Sequence, residues 1–349
     1  VGLTGIWYAT REDVKRALDA AETARNDAQV DRAIESGSRT IEGLTHRRFY
    51  PELATRYFPW PNHQHARPWR LWLDQHELIS VTTLVAGGTT IPATDYFLEP
   101  ANDGPPYTHV EIDLASGSAF AAGSTHQRAI AITGLFGHSA DEAPAGALAE
   151  ALDGSETGVD VTDSSLVGVG TILKCEAERM LVTGRSMLDT GQNSSALTAS
   201  SSDVAITGIT AGTIKVGEVL LVDSERMLVV DVAGTTLTVK RAWDGSALAA
   251  HSGGADIYAP RSLTVTRGAL GTTAATHADA TALTKHVVPA LVRDLAIAEA
   301  INQLQQETSG YARVIGEGEN AREGTGRSLF DLRRDTITAY GRKARARAV

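Results

Sequence analysis

The sequence predicts an α+β fold: a helical core with a small antiparallel sheet, interrupted by a large inserted β-rich domain built as a nested duplication. Three observations predict it. Amphipathic helical stripes stand at both ends of the chain, strand-like stretches punctuated by turns fill residues 50–137, and two internal repeats at unequal offsets lie between. At 349 residues the chain exceeds the usual size of one domain, so two or three cores are expected. Apolar residues at 42% supply core material, while 33 glycines and 5% aromatics point to many turns around small cores.

The first element follows Thr10, an N-cap with Asp13 at the N3 position, and covers Arg11 to Leu18. A second helix runs from Asp27 to Thr45, where Val30, Ile34, Gly37, Ile41 and Leu44 recur at alternating spacings of four and three. It breaks at Arg47-Arg48-Phe49-Tyr50-Pro51, because proline disfavours helical geometry in the residue before it. Strand-like stretches follow at Trp69 to Leu73, Leu78 to Val85, His109 to Leu114 and Ala129 to Thr133, and these predict the small antiparallel sheet. Helical patterning returns near Val287, with Val288, Leu291, Leu295, Ala298 and Ile301 marking one face and Pro289 in the first turn. A Gly-rich segment, Gly316 to Gly326, reads as a flexible linker before a last helix that begins near Ser328.

Between sheet and late helices the sequence repeats itself. Val169-Gly170-Thr171-Ile172-Leu173 with Glu178-Arg179-Met180-Leu181-Val182 returns as Val216-Gly217-Glu218-Val219-Leu220 with Glu225-Arg226-Met227-Leu228-Val229. Leu237-Thr238-Val239-Lys240-Arg241 with Gly245 and His251 returns as Leu263-Thr264-Val265-Thr266-Arg267 with Gly271 and His277. The first offset is about 47 residues and the second about 26. Simple tandem duplication cannot give two offsets, whereas one unit inserted inside another gives both. The split outer unit is then about 158–186 plus 261–285, and the inner unit about 187–260. Arg185-Ser186 reappears as Arg261-Ser262 at the junction. Strand signals at Val219 to Asp223, Met227 to Val232 and Thr236 to Lys240 make both units compact β modules. The chain thus divides into residues 1–148 (two helices plus sheet), 149–285 (the insertion), 286–326 (helix and linker) and 327–349 (a C-terminal arm).

Composition excludes several classes. The single cysteine, Cys175, rules out an intramolecular disulfide and a cysteine metal cluster. No run of 18 apolar residues is present, and the sequence reads as soluble, without an export signal. Net charge is −10, divided as about −6 over 1–149, −6 over 150–285 and +2 over 286–349, which argues against a phosphate-coating surface and puts the basic end at the C-terminus.

Four segments stand out at the helical ends and in the sheet: Tyr8-Ala9-Thr10-Arg11-Glu12-Asp13-Val14, Ile41-Glu42-Gly43-Leu44-Thr45-His46-Arg47-Arg48-Phe49-Tyr50-Pro51, Ile130-Ala131-Ile132-Thr133-Gly134-Leu135-Phe136-Gly137 and Val288-Pro289-Ala290-Leu291-Val292. Read together without the insertion, they resemble the phage head-tail connector (adaptor) family of lambdoid and Bacillus phages. In that family the last two segments lie close in sequence; here about 150 residues separate them. Thr266 to His277 is similar to a motif of accessory modules in phage tail proteins. The resemblance implies a helical connector core and a homo-oligomeric ring, a dodecamer in that family, beneath the portal vertex. It further implies the portal protein and a downstream stopper or tail-completion protein as partners, DNA passing the channel without tight binding, and a place in the virion neck after assembly in the host cytoplasm. No cofactor, membrane partner or enzymatic activity is expected. The alternative function is a tail-associated receptor- or glycan-binding protein, in which exposed aromatics would cluster on the β units; these contain only Trp243 and Tyr258.

Other residues could carry chemistry. His63-Gln64-His65, with Asp74 or His76, could hold a metal, but the Pro- and Trp-rich context reads as a surface loop. His251 and His277 occupy equivalent places, as do Arg241 and Arg267 and Gly245 and Gly271. Recurrence points to a structural role, with the imidazole bridging backbone groups in a turn. Glu178-Arg179 and Glu225-Arg226 read as ion pairs. Gly316-Glu317-Gly318 and Gly324-Thr325-Gly326 lack the Lys-Ser/Thr of a phosphate loop, and Cys175 beside Lys174 has no His or Asn partner for nucleophilic chemistry. The arm is the expected portal-docking element: Leu329, Phe330, Ile337 and Tyr340 supply an apolar face, and Arg333, Arg334, Arg342, Lys343, Arg345 and Arg347 supply charge toward an acidic partner.

Overall fold

A computed structural model describes residues 5–18, 27–61, 67–308 and 328–342. Among these residues the α-helices are α1 (Arg11–Ala17), α2 (Asp27–Thr45), α3 (Ala290–Thr308) and α4 (Leu329–Tyr340). The Thr10 cap forms as a capping box: Thr10 Oγ1 accepts from the Asp13 N–H and the Thr10 N–H donates to Asp13, each at 3.1 Å.

The expected fold class is overturned. Strand accounts for 36% of the described residues and helix for 21%, and the sheets are large and antiparallel, so the molecule is not a helical core with a small sheet. Many strands here are only three to five residues long, so few give an alternation readable in sequence. The chain forms two compact units, one of Val1–Ile41, Glu142–Ala269 and Thr273–Thr338, the other of Glu42–Asp141, Leu270–Thr272 and Ala339–Val349.

In the second unit, β1 (Glu52–Phe58), β2 (Arg70–Trp72), β3 (Leu78–Ala86), β4 (Thr89–Ile91), β5 (Tyr96–Glu99), β6 (His109–Ile112) and β7 (Ile130–Phe136) make two sheets, ordered β1-β7-β3-β4 and β2-β6-β5. Both contribute to one core that includes Phe58, Leu71, Leu84, Val110, Ile132 and Phe136. Strand β7 alternates buried and half-buried residues throughout, as a strand packed on one face requires.

In the first unit, the strands are β8 (Glu142–Ala147), β9 (Gly158–Asp160), β10 (Ile172–Cys175), β11 (Glu178–Asn193), β12 (Ala205–Thr207), β13 (Val219–Val222), β14 (Glu225–Ala233), β15 (Thr236–Lys240), β16 (Asp256–Thr266) and β17 (Ala282–His286). Two neighbour orders run in parallel. From one edge, β12, β15, β14, β13, the first half of β16 and the second half of β11 pair in succession. In the other, β9, the second half of β16, the first half of β11, β10, β17 and β8 pair in the same succession. Each set closes its own core, one around Leu220, Met227 and Val239, the other around Leu173, Met180 and Val265.

The first and last strands of each set are antiparallel neighbours: Glu142 pairs with His286, and Leu188 with Ala259. Entry and exit of each set therefore lie one strand spacing apart, about 4.8 Å. In one set the fourth and fifth strands, β14 and β15, are joined by Gly234-Thr235; in the other, the equivalent ends Ser186 and Ser262 pair and the whole second set is strung between them. The long strands β11 and β16 result from this continuity.

The helical part of this unit packs around Trp7, Val14, Val30, Ile34, Val169, Ala300 and Leu304. Gly37 permits close approach of α2 to α3, since a Cβ there would stand 3.0 Å from Glu299 Cβ. On α3 the buried face is Val292, Leu295, Ala296, Ala300 and Leu304, so of the expected stripe only Leu295 is fully buried. Ala296, Ala298 and Ala300 make several faces of α3 apolar, and the neighbouring helices decide which is used. Leu44 of α2 is half-buried. The Gly316 to Gly326 segment lies outside the described residues.

Because Ser186 and Ser262 are already paired, replacing residues 187–261 by Asn-Gly should close a hairpin and leave a soluble β unit with its Glu178-centred core. Lys15 loses Asp244 but keeps Asp27 at 2.6 Å, and Glu218 leaves together with its partner Arg261, so neither charge is stranded. A cooperative thermal transition with retained β circular dichroism is expected; aggregation would show that one set cannot fold without the other.

Candidate functional site

The repeat-equivalent residues assemble into two buried carboxylate hubs. Strand β14 opens with Glu225, fully buried, directly after a turn in which Asp223 adopts φ 51°. Its carboxylate accepts from Arg241 Nε at 2.8 Å and Nη2 at 2.7 Å, and from the Ala242 and Ala249 N–H groups at 2.9 and 3.0 Å. His251 Nε2 lies 2.9 Å from the same carboxylate, and its Nδ1 lies 2.7 Å from Asp223. The other hub reproduces this. Glu178 accepts from Arg267 Nε and Nη2 at 2.7 and 2.8 Å and from the Gly268 and Ala275 N–H groups at 3.0 Å, with His277 Nε2 at 3.0 Å. His277 Nδ1 lies 2.9 Å from Glu176, whose φ is 52°.

The two arginines also organise loops. Arg241 donates to the carbonyls of Asp203 at 2.8 Å and Ala249 at 2.5 Å; Arg267 donates to those of Asp153 at 2.7 Å and Ala275 at 2.6 Å. Gly245 and Gly271 follow left-handed Asp244 and Leu270 with φ of 74° and 81°, a run in which glycine relieves the second positive φ. Burial alone would raise both glutamates. Hydrogen bonds from the arginine, the histidine and the two backbone N–H groups outweigh it and hold each carboxyl at about 2, against an ordinary 4.5.

Two expectations change here. The glutamates pair with the distant Arg267 and Arg241 rather than with their sequence neighbours, because adjacent residues on a strand point to opposite faces. Arg226 turns to Asp244 instead, at 3.2 Å. The histidine rings face carboxylates, and only their backbones bridge Leu197 and Leu152. Cys175 is fully buried and its thiol is pushed up to about 11 by burial and then by Glu176 and Glu178, while Lys174 is taken by Glu142 at 2.8 Å.

Sequence reasoning missed Glu218, which replaces Thr171 of the other copy. It is buried and accepts from Ser164 Oγ at 2.7 Å, the Lys215 N–H at 2.9 Å and Arg261 Nε at 2.9 Å. Arg185 donates to the Ser164 carbonyl at 2.9 Å and lies 3.0 Å from Glu12. The junction arginines thus tie one β set to the other and to α1. Their repetition in sequence was the available signal.

On α4 the docking set divides. Ser328 caps the helix by accepting from the Asp331 N–H at 3.1 Å. Arg333 donates to Glu299 at 2.5 and 2.7 Å, and Leu329 is half-buried. Phe330 is 72% exposed and Ile337 41%, with Arg334 held by Asp331 and Asp335. In the second unit Tyr340 meets the Phe49 and His138 rings edge-on at 5.6 and 5.4 Å, and Arg342 donates to the Asp74 carbonyl at 2.6 Å. Lys343, Arg345 and Arg347 lie outside the described residues, as do His63 and His65. His76 contacts Arg56 at 3.0 Å, and among the described residues no group of three or more His, Cys, Asp or Glu side chains is placed to hold a metal.

Glu225→Gln and Glu178→Gln should each cost about 3–5 kcal/mol in denaturant unfolding, since each leaves a buried guanidinium and imidazole without their carboxylate. A loss under about 1 kcal/mol would refute the hub. Because the folded carboxyls sit below their unfolded value, their contribution is present above pH 4.5 and is lost as pH falls toward 2. Acid titration followed by circular dichroism should show destabilisation in that window, reduced in the double variant.

No family model, curated protein or solved structure matches the chain.

Proposed function

We propose that the protein is a structural virion component, a head-to-tail connector subunit that joins the portal to the tail as a homo-oligomeric ring. The observation that carries the reading is the outward face of α4. Phe330 and Ile337 stand seven residues apart, two turns along one side of the helix, exposed and separated by Arg334, while Arg333 and Thr336 face the body. Large apolar side chains arranged this way on a short helix suit a partner groove read at helical spacing. The docking set narrows accordingly to Phe330, Arg334 and Ile337, because Arg333 and Arg342 are held by residues outside the helix, Glu299 and Asp74, whereas the partners of Arg334, Asp331 and Asp335, lie on α4 itself.

Two further features support the reading. The buried charges of the β sets are consumed in internal networks, a use suited to scaffolding rather than to a constellation of nucleophile, base and orienter. A net charge of −10 suits a channel that passes DNA without holding it, with a stopper or tail-completion protein as the downstream neighbour and the virion neck as the location. The glycan-binding alternative loses ground. Trp243 is buried and Tyr258 half-buried, and the β sets contain no other Phe, Trp or Tyr. Among the described residues no helix is long and apolar enough to cross a membrane.

Phe330→Asp combined with Ile337→Asp should leave thermal unfolding unchanged, as both side chains are exposed, yet abolish attachment to portal-bearing filled heads. Arg334→Glu should mainly slow association, and more so at low salt. Infectious particles assembled with the double variant, or a virion map without a ring of this protein below the portal, would refute the proposal.

A further inference from the structure

The second unit holds a cleft of about 280 Å³ that neither the hubs nor the docking face explains. It is built on the segment Arg47-Arg48-Phe49-Tyr50-Pro51, where α2 ends and β1 begins. Its charged lining is Arg47, Arg48 and Arg56 with Glu42, Glu52 and Glu77, and Arg342 reaches Glu77 as well. The guanidiniums outnumber the carboxylates and share them. Glu52 serves Arg56 at 2.7 Å and Arg48 at 3.5 Å; buried Glu77 stands 3.5 Å from both Arg47 and Arg342. Three of these four contacts are too long to be strong hydrogen bonds.

The donors are correspondingly underused. Nε of Arg47 and Nε of Arg56 are buried without a hydrogen-bond partner. Each of these arginines spends another N–H on an imidazole, Arg47 on His138 at 3.2 Å and Arg56 on His76 at 3.0 Å. Arg48 is 58% exposed at the mouth. Both imidazoles register the surrounding positive charge: burial and then Arg47 push His138 down to about 4, and burial and then Arg56, Arg48 and Arg342 lower His76. Phe136 backs the site, its ring 4.9 Å from the Arg56 guanidinium, so that side chain is held in place.

We propose that this cleft binds a phosphate group, with Arg48 as the entering contact and Arg47 and Arg56 as the inner donors. A tetrahedral dianion offers acceptors in several directions, and the Nε–H groups of Arg47 and Arg56 are donors still open to it. A carboxylate ligand would bring one charge in one plane. The phosphate can be free or a terminal or backbone group of nucleic acid, since the donors address only its oxygens.

Isothermal titration of the full chain tests this, with sodium phosphate against sodium chloride at equal ionic strength and, in a second arm, with a short 5′-phosphorylated duplex. Saturable phosphate binding at one site per chain is expected, weakened about tenfold or more in Arg48→Gln and partly restored in Arg48→Lys. Arg48 is exposed, so the variant should keep its unliganded melting temperature, and that is measured alongside. Duplex binding that shares the Arg48→Gln loss places the phosphate in nucleic acid; a silent duplex with intact phosphate binding makes it a free ion. No saturable phosphate heat, or binding indifferent to Arg48→Gln, overturns the proposal whatever the duplex does.

Discussion

The antiparallel pairing of first with last strand in each β set is the constraint on which the architecture depends. Because Glu142 pairs with His286 and Leu188 with Ala259, each set begins and ends at one place. A chain segment with adjacent ends can be placed in any exposed turn without moving the flanking residues, and lengthening a closed turn adds little loop entropy. The same module is therefore found twice, once between β7 and α3 and once between Ser186 and Ser262. A module with distant ends would have pulled the host strands apart. The register shifts where β11 passes from one set to the other, between Ser186 and Leu188, mark the local cost of the junction.

Within each set the buried glutamate does what a larger apolar core would do elsewhere. Most strands are short and aromatic residues few, so loops such as those holding Thr198, Asp203 and Ala249 have little apolar surface to anchor them. Arg241 reaches their carbonyls and Glu225 holds Arg241, so one ion pair fixes several loops at once. Burying a carboxylate with fewer donors would be prohibitive, whereas five leave it more stable ionised than in water. The hub therefore stabilises only as a whole, and its members recur together in both copies.

The helical segments and the cleft follow other rules. Gly37 sets the distance between α2 and α3, and Arg333 with Glu299 sets α4 against α3. These contacts direct Phe330 and Ile337 outward, and so determine which part of the C-terminal helix remains for a partner. In the other unit the basic run after α2 is packed at its aromatic members, Phe49 and Tyr50, which leaves Arg47 and Arg48 to line a concave surface.

The sequence by itself determined the elements whose signals are local or repeated. The Thr10 cap, the bounds of α2, the strands Val219–Val222 and Thr236–Lys240 and the equivalence of His251 with His277 all follow from neighbours in the chain or from self-similarity. Only the tertiary structure decided what those residues touch. Glu178 finds Arg267, far along the chain, rather than Arg179 because strand alternation sends neighbours to opposite faces, and Glu218 acquires its role only where Arg261 and Ser164 converge. The predominance of strand was hidden for a related reason: segments of three to five residues are too short for periodicity and become strands through the partners that hydrogen-bond to them. Which face of α3 is buried, which half of α4 stays exposed and which arginines share a carboxylate are likewise properties of packing, set by residues distant in sequence and invisible to any local pattern.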